Sequence, residues 1–175
     1  MKKLEKLDFK EIDIFGLVEL TKKIYTEYDF ENMFLRNILI SDSEAQVIFS
    51  DSKNNKNITF YFKNQLKQTV SVVSEEHWEI TSNHAETEET ELILDDVVIG
   101  YEDALSLLDE FFLQNLKNHK RIKTIFILEN NELGVIWNII VLCANFDIYN
   151  LKYCAKTGKL LHVSQEPVFD FDRQS

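Results

Sequence analysis

The order of hydrophobic patterns along the chain constrains its fold more than any other feature of the sequence. Apolar residues recur at helical spacing over residues 13–28 and again over about 102–118, with charged side chains between them. Both segments are predicted to be amphipathic helices. Each is followed by several short runs that are rich in β-branched and aromatic residues and separated by turn residues, which is the pattern of antiparallel strands.

These short runs predict the strands of the fold. They cover residues 34–40, 46–49, 58–62, 69–73 and 78–81 after the first helix, and 122–128, 135–142, 148–153 and 160–163 after the second. The predicted fold class is α+β: two helices, each followed by an antiparallel β-meander, with the helices packed on one face of the sheet. We predict a single domain over residues 1–175, with segments 1–83 and 92–166 as candidate pseudo-repeated halves.

Composition is typical of a soluble protein with one core. A chain of 175 residues, 45% of them hydrophobic, buries about 70% of its unfolded surface when it folds. The basic start at Met1 is not followed by the apolar stretch of a secretory signal, and no run approaches the roughly 20 apolar residues of a membrane helix. We therefore expect a cytoplasmic protein that is not bound to a membrane.

Cysteines and histidines are too few to predict a disulfide framework or a metal site. Cys143 and Cys154 lie in apolar, strand-like segments and are interpreted as core residues, and His119 and His162 have no ligand spacing with them. The sequence has no nucleophile elbow, no glycine-rich phosphate loop and no dinucleotide fingerprint. We predict a protein that is not an enzyme and binds no cofactor or metal. A small enzyme with an unrecognised carboxylate site stays open as an alternative.

The second half of the chain carries a specific combination of residues. A strand-like run, Val135-Ile136-Trp137-Asn138-Ile139, follows the second helix, and a later strand ends in Tyr153-Cys154-Ala155-Lys156-Thr157-Gly158-Lys159-Leu160-Leu161. Over about residues 98–165 the chain resembles a PepSY-type domain. In that family a tryptophan opens the middle strand and an Asp-Ala-x-Thr-Gly-type turn joins the last two strands, with glycine supplying the positive φ. Cys154 stands where that turn has aspartate. The resemblance implies a small non-catalytic fold used for binding or inhibition.

Charge is distributed very unevenly along the chain. Residues 68–116 contain thirteen Asp and Glu residues and no Lys or Arg, whereas the formal charge of the whole chain is −11. The other residues therefore carry a net charge of +2, the difference between −11 and −13. Such a concentration of negative charge attracts basic proteins and repels phosphate backbones. It predicts a basic protein as partner and disfavours nucleic acid.

This acidic segment favours a protein that neutralises a basic partner. We predict a cytoplasmic inhibitor of the immunity-protein or antitoxin type, which covers the basic surface of a toxin. The predicted partner-binding residues are Glu86, Glu88, Glu89, Glu91, Asp95, Asp96, Glu102 and Asp103. In the alternative reading these acids form a solvated loop and stabilise the first turn of the second helix. The chain is then a general PepSY-like interaction module without a dedicated toxin partner.

Overall fold

The computed structural model describes residues 1–5, 7–9, 11, 13–65, 68–77 and 90–168. Its helices are α1 (Ile14–Ile24) and α2 (Tyr101–Asn115), with short 3-10 turns at Phe30–Asn32 and Leu94–Asp96. Its strands are β1 (Lys2–Leu4), β2 (Phe34–Ser41), β3 (Glu44–Asp51), β4 (Lys56–Gln65), β5 (Gln68–His77), β6 (Arg121–Asn131), β7 (Gly134–Cys143), β8 (Asp147–Cys154) and β9 (Leu160–Pro167).

The nine strands found in these ranges form one antiparallel sheet in the order β1-β5-β4-β3-β2-β6-β7-β8-β9. Strands that are consecutive in sequence pair from β2 to β5 and from β6 to β9. The two series meet where β2 pairs with β6, with Leu39 opposite Ile127. β1 pairs with β5, so β1 and β9 are the two edge strands.

The predicted fold class is wrong. We expected an α+β protein in which each of two helices is followed by its own meander. The structure is instead mostly a single nine-stranded antiparallel sheet, with 50% of the described residues in strands and only 21% in helices, the 3-10 turns included. Local sequence patterns underestimated the strands, because β2 to β9 run for 8 to 11 residues. The predicted strand at 78–81 lies outside the described residues, and β1 was not predicted.

Both helices are shorter than their hydrophobic patterns suggested. α1 begins at Ile14, because the Asp13 carboxylate accepts the Phe15 N–H at 3.1 Å and caps the helix. It ends at Ile24, and α2 ends at Asn115. The buried positions are three or four residues apart, namely Ile14, Leu17, Val18 and Thr21 in α1 and Tyr101, Ala104, Leu108 and Phe112 in α2.

The core lies between one face of the sheet and both helices. Next to α1, Tyr25 packs on Phe60 of β4 with ring centroids 4.8 Å apart. In α2, Tyr101 packs on Phe126 of β6 at 4.9 Å. Because side chains alternate across a strand, residues that flank these core positions point to the other side of the sheet. We call that side the open face, since neither helix packs against it.

Two turns are held by specific local chemistry. Between β3 and β4, the buried Asp51 carboxylate accepts the side-chain amide of Asn54 at 2.7 Å and the backbone N–H groups of Lys53 and Asn54 at 3.1 and 3.2 Å. The Asn54 amide is the main reason that the pKa of Asp51 lies below its ordinary value. Between β8 and β9, Gly158 has φ +70° and its N–H donates to the Cys154 carbonyl at 2.8 Å. Glycine adopts this conformation without the steric cost that a Cβ brings.

Candidate functional site

A groove of about 400 Å³ lies between the N-terminal ends of the two helices. It is lined by Glu11, Asp13, Ile14, Phe15, Val97, Val98, Gly100, Tyr101, Glu102 and Asp103. We call it the acidic groove, because four of these lining residues are carboxylates and none of the described lining residues is Lys or Arg. Its two sides come from segments that are far apart in sequence.

The α1 side consists of the residues that start that helix. Asp13 is the N-cap, and the local sequence makes room for it: a Cβ at Gly16 would lie only 2.9 Å from Asp13 Oδ2. Phe15 follows in the first turn with 44% of its surface exposed. The cap therefore holds a carboxylate and an exposed aromatic ring side by side at the groove.

The α2 side has a related arrangement. Gly100 is the N-cap of α2, and its N–H donates to Asp103 Oδ2 at 3.3 Å. Glu102 and Asp103 lie in the first turn, where each carboxylate stabilises the helix by about 0.3 to 1 kcal/mol. The negative charges of these two residues therefore also stabilise α2 itself. Neither carboxylate forms an ion pair within the part of the chain that the structure describes.

The segment that leads into α2 is firmly anchored. The N–H groups of Val98 and Ile99 both donate to the Ala155 carbonyl, at 3.0 and 2.8 Å. The indole N–H of the fully buried Trp137 donates to the Ile99 carbonyl at 2.8 Å. This wall of the groove is therefore fixed to β7 and to the turn after β8.

Apolar surface accompanies the carboxylates. Val98 is 65% exposed and faces the groove together with Phe15. Tyr101 is buried, and this burial is the main cause that raises its pKa to about 12. Exposed apolar side chains surrounded by polar groups are the usual composition of a protein-binding surface.

The net potential of the groove is negative despite the two helix N-termini. Each helix N-terminus contributes about half a positive charge. Against this stand the four formal negative charges of Glu11, Asp13, Glu102 and Asp103. Over the described lining residues and the two helix ends the sum is about −3, which suits a cation, such as a Lys or Arg side chain of a partner, and disfavours an anion.

The structure brings two of the eight predicted partner-binding residues into this groove, Glu102 and Asp103. Three others, Glu91, Asp95 and Asp96, lie on the preceding segment and do not line it, and Asp96 forms a 3.9 Å ion pair with Lys156. The remaining three, Glu86, Glu88 and Glu89, lie outside the described residues.

Other acids of the segment 68–116 are neutralised by cations from elsewhere in the fold. Glu75 pairs with Lys56 at 3.0 Å and accepts the Tyr28 hydroxyl at 2.8 Å, and the Lys56 bond is the main cause that lowers the pKa of Glu75. Asp109 pairs with Arg121 at 2.6 Å. The segment is therefore not uniformly available to a partner, and the acidic groove is where carboxylates without an ion pair among the described residues come together.

Sequence reasoning missed Glu11, Asp13, Phe15 and Val98. The available signal was Asp13, an N-cap residue directly before a helical run, which marks where α1 begins. Nothing in the sequence indicated that this helix start lies beside the start of α2, because that proximity depends on how both helices dock on the sheet.

The two cysteines have different environments. Cys143 is fully buried in the core, as predicted, and burial raises the pKa of its thiol. The prediction is wrong for Cys154, which is partly exposed on the open face. The Thr157 hydroxyl, assisted by backbone N–H groups of the turn, lowers the pKa of Cys154. No group of three His, Cys, Asp or Glu side chains in the described ranges is arranged to hold a metal ion.

No protein-family model and no curated protein matches this chain. A solved structure is similar, namely that of a protein from Clostridium difficile 630 that is provisionally described as a lipoprotein. The TM-score is 0.62 at 14% sequence identity, over 92% of this chain and 100% of that one. At this identity the similarity shows the fold alone. Of the helices described, none is long and apolar enough to span a membrane.

Proposed function

We propose that this chain is a non-enzymatic, cytoplasmic inhibitor of the immunity-protein or antitoxin type, which binds a basic protein such as a toxin in the acidic groove. One observation carries the proposal. The groove combines four carboxylates, none of which forms an ion pair among the described residues, with two exposed apolar side chains, Phe15 and Val98.

The two kinds of side chain have different roles in binding. The carboxylates attract a basic partner over a distance of about 10 Å at 0.1 M salt, so they raise the association rate at low ionic strength. Phe15 and Val98 lose contact with water only when the partner is bound, so they slow dissociation. A loop of the partner that carries Lys or Arg beside an apolar residue satisfies both requirements.

The test is affinity capture from a lysate of the source cells, followed by assay of the captured protein. Three forms of the full chain are compared: wild type, the double variant Glu11→Lys and Glu102→Lys, and a control with Glu31→Lys and Glu166→Lys. The control makes the same change in net charge at exposed positions outside the groove. Neither groove substitution removes a helix cap, because Asp13 and Asp103 are kept.

We expect wild type and control to retain the same basic protein, the groove variant to lose it, and the purified chain to inhibit its activity. The association rate should fall as salt increases, and Phe15→Ala should mainly raise the dissociation rate. Retention of the same partner by all three forms, or of no basic protein by any form, would refute the proposal.

A second candidate is a general PepSY-like interaction module with no dedicated toxin partner. The observation that favours it is local: Trp137 is buried and hydrogen bonded on β7, and Gly158 has a positive φ in the Thr-Gly turn between β8 and β9. If the chain is such a module, the carboxylates of the acidic groove only stabilise the N-termini of the two helices. Reversing the charge of the groove then leaves partner retention unchanged.

A further inference from the structure

The open face of the sheet carries a contiguous apolar patch. Leu39 lies opposite Ile127 across β2 and β6, Ile125 lies opposite Ile140 across β6 and β7, and Leu142 lies opposite Ile148 across β7 and β8. These six half-buried side chains, Leu39, Ile125, Ile127, Ile140, Leu142 and Ile148, form the open-face patch. Contiguous apolar surface of this kind on a folded protein usually marks an interaction site.

Unsatisfied polar atoms lie beside the patch. Asn37, Asn138 and Asn150 are on the same face, and each has a buried side-chain oxygen that accepts no hydrogen bond from the described residues. Asn138 lies opposite Ile127, and Asn150 lies opposite Ile140. A buried acceptor without a donor is unfavourable. These three oxygens are inaccessible within one copy, so the apolar side chains of the open-face patch, and not the asparagines, would make the contact with a partner.

Charge on the open face selects among possible occupants. Glu44 and Lys63 form an ion pair at 3.0 Å, and Glu129, Lys123 and Lys152 also lie on this face. Both signs are therefore present in nearly equal number, in contrast to the acidic groove. A basic partner gains no attraction here. A second copy of this chain, which also carries a net charge of −11, meets no excess of like charge on this face.

The size of the face fits a dimer. Strands are spaced by about 4.8 Å and rise about 3.4 Å per residue, so the five strands β3, β2, β6, β7 and β8 over eight residues present roughly 650 Å². Two copies would bury about 1,300 Å², within the range of about 1,200 to 2,000 Å² of stable specific interfaces.

We propose that two copies of this chain pack open face against open face, as a two-fold symmetric dimer centred on the open-face patch. In such a dimer each copy uses the same surface. Both acidic grooves lie on the helix side of their sheets and stay accessible, so the dimer presents two of them. The dimer does not depend on the function of the groove, and the two proposals are tested separately.

The test is sedimentation velocity of the full chain over about 1 μM to 300 μM, which brackets dissociation constants typical of weak and moderate dimers. We expect wild type to reach a mass of 41.2 kDa, twice 20.6 kDa. Ile127→Lys should raise the dissociation constant at least about 100-fold, because each dimer then buries two unpaired cations. Leu133→Lys is the control, since Leu133 is exposed in the turn between β6 and β7.

Folding of each variant is verified by circular dichroism. Ile148→Thr is a milder second variant at the rim of the open-face patch, in case the lysine prevents folding. It should weaken the dimer at least about 10-fold, since each copy loses apolar contact area. Wild type that stays monomeric throughout, or patch variants that dimerise as wild type does, would overturn the proposal.

The outer edge of β9, which pairs with no other strand of the described residues, is the competing surface for self-association. The Val168 N–H donates to the Phe146 carbonyl of the segment before β8 at 2.8 Å. In antiparallel strands every second residue is hydrogen bonded to its neighbour strand, and Val163 is an odd number of residues from Val168. The Val163 N–H therefore points away from β8. Val163→Pro therefore removes a donor only from the outer edge. A dimer that is broken by Val163→Pro and unaffected by Ile127→Lys forms through β9, and the open-face proposal is then wrong.

Discussion

Replacing Gly158 by alanine isolates the energetic cost of one backbone conformation. Gly158 has φ +70°, and an added Cβ would lie 3.5 Å from Ile99 Cδ1 and 3.5 Å from Leu107 Cδ1. These are ordinary van der Waals distances, so packing does not oppose the new methyl group. The cost is therefore that of placing an L-residue in the left-handed region, about 1 to 2 kcal/mol.

The assay is urea unfolding followed by circular dichroism. We expect Gly158→Ala to lower the free energy of unfolding by about 1 to 2 kcal/mol with an unchanged m-value, and to lower Tm by about 2 to 8 °C in a protein of this size. Gly134→Ala is the matched control: φ is +88° and nothing lies within 4 Å of its Cβ, so it should cost a similar amount. Gly158→Asn should cost less, because asparagine tolerates this region better.

Two results would refute this reasoning. A loss below about 0.5 kcal/mol for Gly158→Ala would mean that the turn adopts another conformation without strain. A loss above about 4 kcal/mol, well beyond the cost of one strained residue, would mean that the methyl group displaces Ile99 and Leu107.

Three further predictions follow from single contacts. Asp51→Ala should lower the free energy of unfolding by about 1 to 3 kcal/mol at neutral pH. The pKa of Asp51 is depressed in the folded state, so this stabilisation is present above the unfolded-state pKa and is lost as pH falls through the folded-state pKa. If the variant is still less stable than wild type in strong acid, this assignment is wrong. In native protein, iodoacetamide should modify Cys154 much faster than Cys143, and Thr157→Val should slow the reaction of Cys154. Both rates are measured by mass spectrometry. Equal rates for the two thiols would show that Cys154 is not the more reactive, partly exposed thiol. Trp137→Phe removes the indole N–H that donates to the Ile99 carbonyl, and it should lower the free energy of unfolding in urea by about 1 to 3 kcal/mol. An unchanged unfolding midpoint would show that this hydrogen bond does not contribute to stability.

Local pattern was sufficient to identify the helices and most of the strand-forming segments. Ile14, Leu17, Val18 and Thr21 are buried because helical spacing places them on one side, and that spacing is visible in the sequence. The start of α1 was also predictable, because an N-cap such as Asp13 acts on N–H groups only a few residues away. Short runs rich in β-branched and aromatic residues, separated by turn residues, located most of the strands for the same reason.

Pairing between distant strands was beyond sequence reasoning. The contact of β2 with β6 unites the strands into one sheet, and no local feature of either strand specifies the other as its neighbour. That choice depends on the sum of side-chain packing over the whole sheet and on the entropy of closing the intervening loop. The predicted fold class failed at this point.

The sequence by itself determined that acidic residues are concentrated in one segment, since charge is a property of composition. The tertiary structure alone decided which of these charges a partner can reach. It pairs Glu75 with Lys56 and Asp109 with Arg121, and it brings the start of α1 beside Glu102. The physical reason is that electrostatic interaction depends on distance in space, and distance in space is set by how both helices dock on the sheet.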